Sequence, residues 1–329
     1  MTSSAFGALW AEDIDLSDLQ FALPALARHG LAVHLAWHAG SDDADRLALA
    51  AEAATYGVPV RPWLLLPPEE GYWAGAENAA VFADTARRLF DRWCGAGLAP
   101  GLWVVDMEPP RHRVEALDAA LKDGIRRWPA MWRQLRDEAS VDLSTPARVY
   151  ADLVDEATRL GFSTWLTTLP MVADDFAAGT DTYQRWLGLP VNGSPWSVVS
   201  LQVYRTMFDD SLPWGLKQMG VGPGIVARYG RLVRAAFGDR GGLDLGLVGG
   251  GVIEDSGRYS APKDLGADLA AAHGVGVPAN QISVFSLEGV LERGPVEGWL
   301  APPTHRPVKA GIRAALQGKL MTTLARLGR

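Results

Sequence analysis

The sequence predicts a single (β/α)₈ barrel, a TIM barrel, with an appended C-terminal helix. Two observations carry this. Apolar or β-branched runs alternate with Ala/Leu/Arg-rich amphipathic stretches eight times along 329 residues, and eight strand–helix units is the number that closes a parallel barrel. The helical stretches also end repeatedly in glycine before the next run, at Gly30, Gly57, Gly97, Gly161 and Gly238. A glycine there stops the helix and opens a tight turn into the following strand.

The eight runs, taken in order, are AFGALWAE (5–12), LAVHLAWH (31–38), VPVRPWLLL (58–66), GLWVVDMEPP (101–110), FSTWLTTLP (162–170), SVVSLQVY (197–204), LDLGLVGGGVI (243–253) and QISVFSLEG (281–289). Each is near-continuously apolar, as suits a strand covered by helices. Strands are expected to begin near residues 6, 31, 59, 101, 163, 197, 244 and 281. A doubly wound open sheet would place a glycine-rich phosphate loop after its first strand; none is present, and the VGGGV run at 248–252 lacks that spacing. The barrel is assigned to 1–303, with a long insertion-like helical region at about 111–160 and a helical extension at 304–329. In that extension, residues 308–327 read as a helix with Ile312, Leu316, Leu320 and Leu324 on one stripe.

A net charge of −7 and a pI of about 5.4 argue against a general nucleic-acid binder, which needs a basic surface. The single cysteine, Cys94, excludes an internal disulfide and reads as a packing residue. No signal-peptide pattern opens the sequence and no window approaches the 18 or so apolar residues that span a bilayer, so a cytoplasmic protein without a membrane span is expected. No cofactor and no metal site is expected, since no His/Glu pair falls at ligand spacing on one strand. Oligomeric state is not legible. Thirteen tryptophans favour a carbohydrate ligand, because sugars offer flat C–H faces that stack on aromatic rings.

Chemistry on such barrels gathers at the C-terminal ends of the strands. Those ends present Trp10 and Glu12 from the first run, Trp37 and His38 from the second and Asp106 and Glu108 from the fourth. Gln202, Tyr204 and Arg205 follow from the sixth, Glu254 from the seventh and Glu288 from the eighth. The loop after the third adds Glu69, Tyr72 and Trp73. Trp10, Trp37, Trp63 and Trp165 are candidates for an aromatic floor. Asp106 and Glu108 carry the sharpest signal. Residues two apart on a strand share a face, and Pro109 and Pro110 end the ladder directly after them. Two close carboxylates in a poorly hydrated place split their pKa values: one keeps a proton and can act as a general acid, the other stays charged. Glycosidic cleavage uses that arrangement.

A fourth strand ending in Asp-x-Glu resembles glycoside hydrolase family 18, the chitinase-like barrels. The family's fuller motif, Asp-x-x-Asp-x-Asp-x-Glu, lays its last two acids on Asp106 and Glu108 and its earlier two on Gly101 and Val104. The family's Met-x-Tyr-Asp on strand six falls on LQVYR, where Tyr204 matches and Arg205 replaces the aspartate. The resemblance implies a retaining mechanism without an enzyme nucleophile. Glu108 would protonate the leaving oxygen, Asp106 would steer the substrate's own N-acetyl group, and Tyr204 would hold that group. Trp10, Glu12, Trp37, His38, Trp63, Gln202, Arg205, Glu254 and Glu288 would bind substrate. MEPP is also similar to the Asn-Glu-Pro of the large retaining-glycosidase clan, which would pair Glu108 with Glu254. The family 25 lysozyme-like barrels share Asp-x-Glu as well. The expectation is therefore a glycoside hydrolase. Its rivals are a non-catalytic sugar-binding barrel with a degenerate site and a metal-dependent hydrolase on the same fold.

Overall fold

In the computed structural model, eight parallel strands close into a barrel in the order of the sequence, β1 to β8. They are β1 (Ala8–Ala11), β2 (Ala32–His38), β3 (Val60–Leu65), β4 (Leu102–Met107), β5 (Ser163–Thr168), β6 (Val198–Val203), β7 (Gly241–Leu245) and β8 (Ile282–Phe285). The structure describes residues 4–40, 43–110, 142–210, 221–249, 257–303 and 312–327. Among them the helices are α1 (Leu16–His29), α2 (Ala44–Thr55), α3 (Ala79–Gly95), α4 (Ser144–Arg159), α5 (Val172–Ala178) and α6 (Thr182–Leu187), then α7 (Arg205–Asp210), α8 (Gly224–Phe237), α9 (Pro262–His273), α10 (Leu287–Arg293), α11 (Val296–Leu300) and α12 (Ile312–Leu327). The predicted fold class is the observed one. No helix among the described residues is long and apolar enough to cross a membrane.

The chain divides into two compact units. The first comprises Met1–Ala36, Asp42–Pro62 and Val198–Lys319; the second comprises Trp37–Ser41, Trp63–Ser197 and Leu320–Arg329.

In the first unit, register decides which side chains face the barrel interior. Gln202 lies opposite Asp244, Asp244 opposite Ser283, and Trp10 opposite His34. These residues share one phase. The alternate phase holds Leu201, Leu243, Ile282, Leu9 and Val33. Leu243 meets the helix layer: a Cβ on Gly230 of α8 would lie 3.5 Å from its Cδ1. The apolar phase therefore covers the helices and the polar phase points inward. β7 begins at Gly241, three residues before its expected start and inside a Gly-Gly pair that reads as a turn. Glycine is needed there because a Cβ on Gly242 would lie 2.6 Å from the Gln281 carbonyl oxygen. The later part of that run is used differently too. Gly249 packs main chain against main chain on Gly289, where a Cβ would come within 2.5 Å of the Gly289 Cα.

In the second unit, α3 buries Phe82, Ala86, Leu89, Phe90 and Trp93 at helical spacing, and α4 buries Tyr150, Leu153, Val154 and Ala157. Trp103 of β4 sets its edge on Phe90 at 4.9 Å between centroids, so its phase faces the helices. A fully buried ring of this size contributes roughly 1.5–3 kcal/mol. Cys94 departs from expectation: it is exposed, because Trp93 takes the buried position beside it. Of the 111–160 region, residues 111–141 lie outside the described residues and 144–159 form α4.

The C-terminal segment forms α12 as expected. In the second unit, Thr182 Oγ1 donates to the Ala325 carbonyl at 2.8 Å, Tyr183 Oη to the Met321 carbonyl at 2.9 Å, and Thr322 Oγ1 to Asp174 Oδ1 at 3.1 Å. Of the expected stripe, Leu324 is half-buried; the side chains of Ile312, Leu316 and Leu320 lie outside the described residues, and Ala325 is the buried contact.

Candidate active site

The residues singled out in the sequence distribute over both units, and each unit has its own arrangement. In the second, Trp63 lies opposite Val104, Val104 opposite Trp165, and Asp106 opposite Thr167. This phase alternates with that of Trp103, so it points inward. Asp106 is buried, and Trp63 and Trp165 occupy the layer one step beneath it. Glu108 is half-buried and follows directly after the strand. Pro109 and Pro110 behind it are buried.

The main chain of this acidic pair is clamped from one side. The Ala74 N–H donates to the Asp106 carbonyl at 2.9 Å, and the Glu108 N–H donates to the Ala74 carbonyl at 3.1 Å. One residue of the β3–α3 loop thus bonds both carboxylate-bearing residues. Ala74 forms a parallel bridge with Met107, the last residue of β4. The loop itself is built around Asn78. Its Oδ1 accepts the Gly75 N–H at 2.9 Å, and its Nδ2 donates to the carbonyls of Glu70 and Trp73, both at 2.8 Å. Tyr150 Oη donates to the Gly75 carbonyl at 2.9 Å. Tyr72 sits in the loop at φ 69°, a conformation that non-glycine residues seldom adopt. Its ring lies 6.3 Å from that of His38 and 5.1 Å from that of Trp73. Tyr72 and Trp73 are among the mouth residues expected from the loop after the third run, whereas Asn78 is not among the expected residues. The signals available were the aromatic pair after β3 and the N-cap position of Asn78.

Trp37 is not where a substrate-facing residue would be. It occupies the opposite phase of β2 from His34 and packs on Trp93 of α3 at 5.8 Å between centroids. The continuous apolar run hid its phase.

The first unit lines the interior with a polar chain. Trp10 Nε1 donates to Ser283 Oγ at 2.6 Å, and Ser283 Oγ donates to Asp244 Oδ1. The His34 ring stands edge-on to Trp10 at 4.5 Å, and its Nε2 lies 3.0 Å from Arg61 Nη1. Burial holds the His34 imidazole well below its ordinary range, and the Arg61 charge pushes the same way. Burial also lowers Arg61, to about 10. His34 is therefore neutral when folded at neutral pH. On unfolding it regains a value near 6.5, so only the unfolded chain takes up a proton as pH falls through that value, and stability drops. His34 should therefore lower stability as pH falls from 7 to 5, and His34→Gln should lose less over the same range. Urea unfolding of the wild type and of His34→Gln at both pH values checks this; equal losses in the two proteins would contradict it.

Gln202 lies buried on the inward face opposite Asp244, and Tyr204 follows β6 with its ring 5.9 Å from Phe285. Glu12 and Glu288 come together: Glu288 Oε1 accepts the N–H groups of Glu12 at 2.6 Å and Asp13 at 3.0 Å, and burial raises the Glu288 carboxyl above the usual range. Arg205 is engaged in an ion pair. Its Nε donates to both oxygens of the fully buried Asp268, at 2.8 and 2.9 Å, and it lies over the Tyr259 ring. Tyr259 Oη donates to the same carboxylate at 2.6 Å. Glu254 lies outside the described residues. Among the described residues, no three His, Cys, Asp or Glu side chains are grouped so as to hold a metal ion.

Comparison of the sequence with family models and with curated proteins finds no match. Among solved structures, the PgaB (BpsB) glycoside hydrolase domain from Bordetella bronchiseptica is similar with a TM-score of 0.50 and 13% identity, over 91% of this chain and 99% of that one. The Prevotella bryantii endo-beta-mannanase/endo-beta-glucanase gives 0.47 at 11% identity, over 98% of this chain and 48% of that one. D-psicose 3-epimerase from Clostridium cellulolyticum H10 gives 0.41 at 12% identity, over 98% of each chain. At such identities the likeness is one of fold.

Proposed function

We propose that the chain is a carbohydrate-active enzyme, a retaining glycoside hydrolase of chitinase-like type with Glu108 as general acid. One observation carries the reading: Asp106 is buried on the inward face at the end of β4, above the Trp63–Trp165 layer, with the half-buried Glu108 two residues on. The rings keep water from beneath the carboxylates. A low-dielectric floor raises the cost of two adjacent negative charges, so the pair favours one proton shared between them. Alternation carries Glu108 into the phase of Asp106. Glu108, nearer solvent, then delivers the proton to the glycosidic oxygen. Asp106 stays charged and steers a 2-acetamido group, whose carbonyl oxygen attacks the anomeric carbon as the glycosidic bond breaks. Water opens the resulting ring, and Glu108 takes its proton back.

The reading requires the acetamido group. An aryl N-acetyl-β-glucosaminide should be hydrolysed with retained anomeric configuration, and the matching aryl β-glucoside far more slowly, since a well-oriented intramolecular nucleophile reaches effective molarities of about 10⁵–10⁸ M. Equal rates on the two would sink the assisted route. One observation favours a second reading, a barrel that binds sugar without cutting it. Val104 stands on the inward face at the position where the resemblance calls for a second aspartate behind Asp106. Saturable binding of an N-acetylglucosamine oligosaccharide without turnover would favour that reading.

A further inference from the structure

We propose that Asn78 is the positioning residue of this site: through the β3–α3 loop it sets the main chain of Asp106 and Glu108 and hence the aim of the Glu108 carboxyl. The inference rests on the reading of Glu108 given above. Asn78 occupies the N-cap position of α3, where an asparagine side chain ordinarily accepts an N–H from the first turn of its own helix. It makes no such bond. Its amide instead turns back into the loop and uses acceptor and donors together on Gly75, Glu70 and Trp73. Trp73 and Gly75 flank Ala74, and Ala74 is the residue that bonds both Asp106 and Glu108. The side chain therefore brackets the loop residue that hydrogen-bonds the main chain of both acids.

Two glycines make room for this. Gly71, at φ 104°, would place a Cβ 2.7 Å from Asn78 Nδ2. Gly75 would place one 3.3 Å from the Glu108 carbonyl oxygen. The loop is thus packed on the amide on one side and on Glu108 on the other. The Tyr72 conformation at φ 69° lies inside the same bracketed segment, and such conformations persist where the surroundings over-determine them.

The test compares Asn78→Ala and Asn78→Asp with the wild type. The aspartate keeps the acceptor for the Gly75 N–H and loses both donors. Two readouts are taken on the full chain: amide hydrogen exchange, and kcat and KM on the aryl N-acetyl-β-glucosaminide. In Asn78→Ala, exchange at the Ala74 and Glu108 amides should quicken on the order of tenfold while the Val104 and Val105 amides inside β4 keep their rates. In the same variant kcat should fall roughly tenfold with KM near the wild-type value, since a small misplacement of an acid acts on the transition state more than on binding. Asn78→Asp should shift both readouts in the same direction by less. Unchanged exchange at Ala74 and Glu108, exchange that quickens throughout β4, or local loosening with unchanged kcat would each overturn the inference. Glu108→Gln, measured in parallel, separates the two proposals. Its retention of full turnover defeats the general-acid reading, whereas its inactivity beside a fully active Asn78→Ala defeats only the positioning role.

Discussion

Glu108→Gln is expected to lower turnover of an aryl N-acetyl-β-glucosaminide by on the order of 10² or more, because general-acid catalysis is typically worth that much. The amide keeps the size and hydrogen-bonding reach of the acid and loses only the transferable proton. Substrate affinity should therefore change little, and KM should stay within a few-fold. A leaving group that needs no proton should recover part of the loss, so the deficit should shrink on a dinitrophenyl glycoside relative to a methyl or sugar aglycone. The alkaline limb of the wild-type pH profile reports loss of the proton from the acid, and it should vanish in the variant. Turnover in Glu108→Gln equal to the wild type, on a poor leaving group at neutral pH, would remove Glu108 from the chemistry.

Asp268→Ala should cost about 3–5 kcal/mol of stability, the usual range when one partner of a buried ion pair is removed. Asp268 is fully buried and receives Arg205 Nε on both oxygens and the Tyr259 hydroxyl. Its removal takes from the Arg205 guanidinium, only 14% exposed, the carboxylate that meets its Nε on both oxygens. It also leaves a buried phenol without its acceptor. Asp268→Asn, which keeps an acceptor for Tyr259 and loses the charge, should cost less. Denaturant midpoints of the two variants, at unchanged slope, measure this, and a loss below about 1 kcal/mol in Asp268→Ala would contradict it.

The network also explains what could and could not be read in advance. Arg205 stands beside Tyr204 at a strand end, so its local sequence points to a ligand. Its partner lies 63 residues later on α9, and nothing near Arg205 in the chain announces it. Trp37 fails for a different reason. In LAVHLAWH both faces of the strand are apolar, as parallel strands require, so the run fixes the strand and hides the phase. Only His34 and His38 mark the inward side. β4 was legible because Asp106 interrupts an apolar run at a definite position and two prolines stop it. β7 was misplaced at its start because glycines demanded by close main-chain approach look like turn glycines. Asn78 looks like a helix cap, and the helix is indeed there; the bonds its side chain makes are tertiary. Strand count and helix ends are written locally, whereas the partner of a side chain is written wherever the fold brings the second residue.

The docking of α12 bears on how this segment can diverge. Thr182 and Tyr183 reach carbonyl oxygens, at Ala325 and Met321, and the Tyr183 hydroxyl also lies 3.9 Å from Met321 Sδ. A main-chain acceptor is present whatever the residue, so those two contacts are indifferent to lettering. The third, Thr322 to Asp174, falls on the same face one residue beyond Met321. What the arrangement does record is rotational phase. An insertion of one residue between Met321 and Ala325 turns one docked group by about 100° relative to the other, so the two cannot both keep their partners. Point changes on the solvent side leave the phase untouched. Over evolutionary time such a helix can drift widely in composition while the spacing within its docking turn stays fixed, and lineages should be told apart in that turn by their substitutions and hardly ever by their gaps.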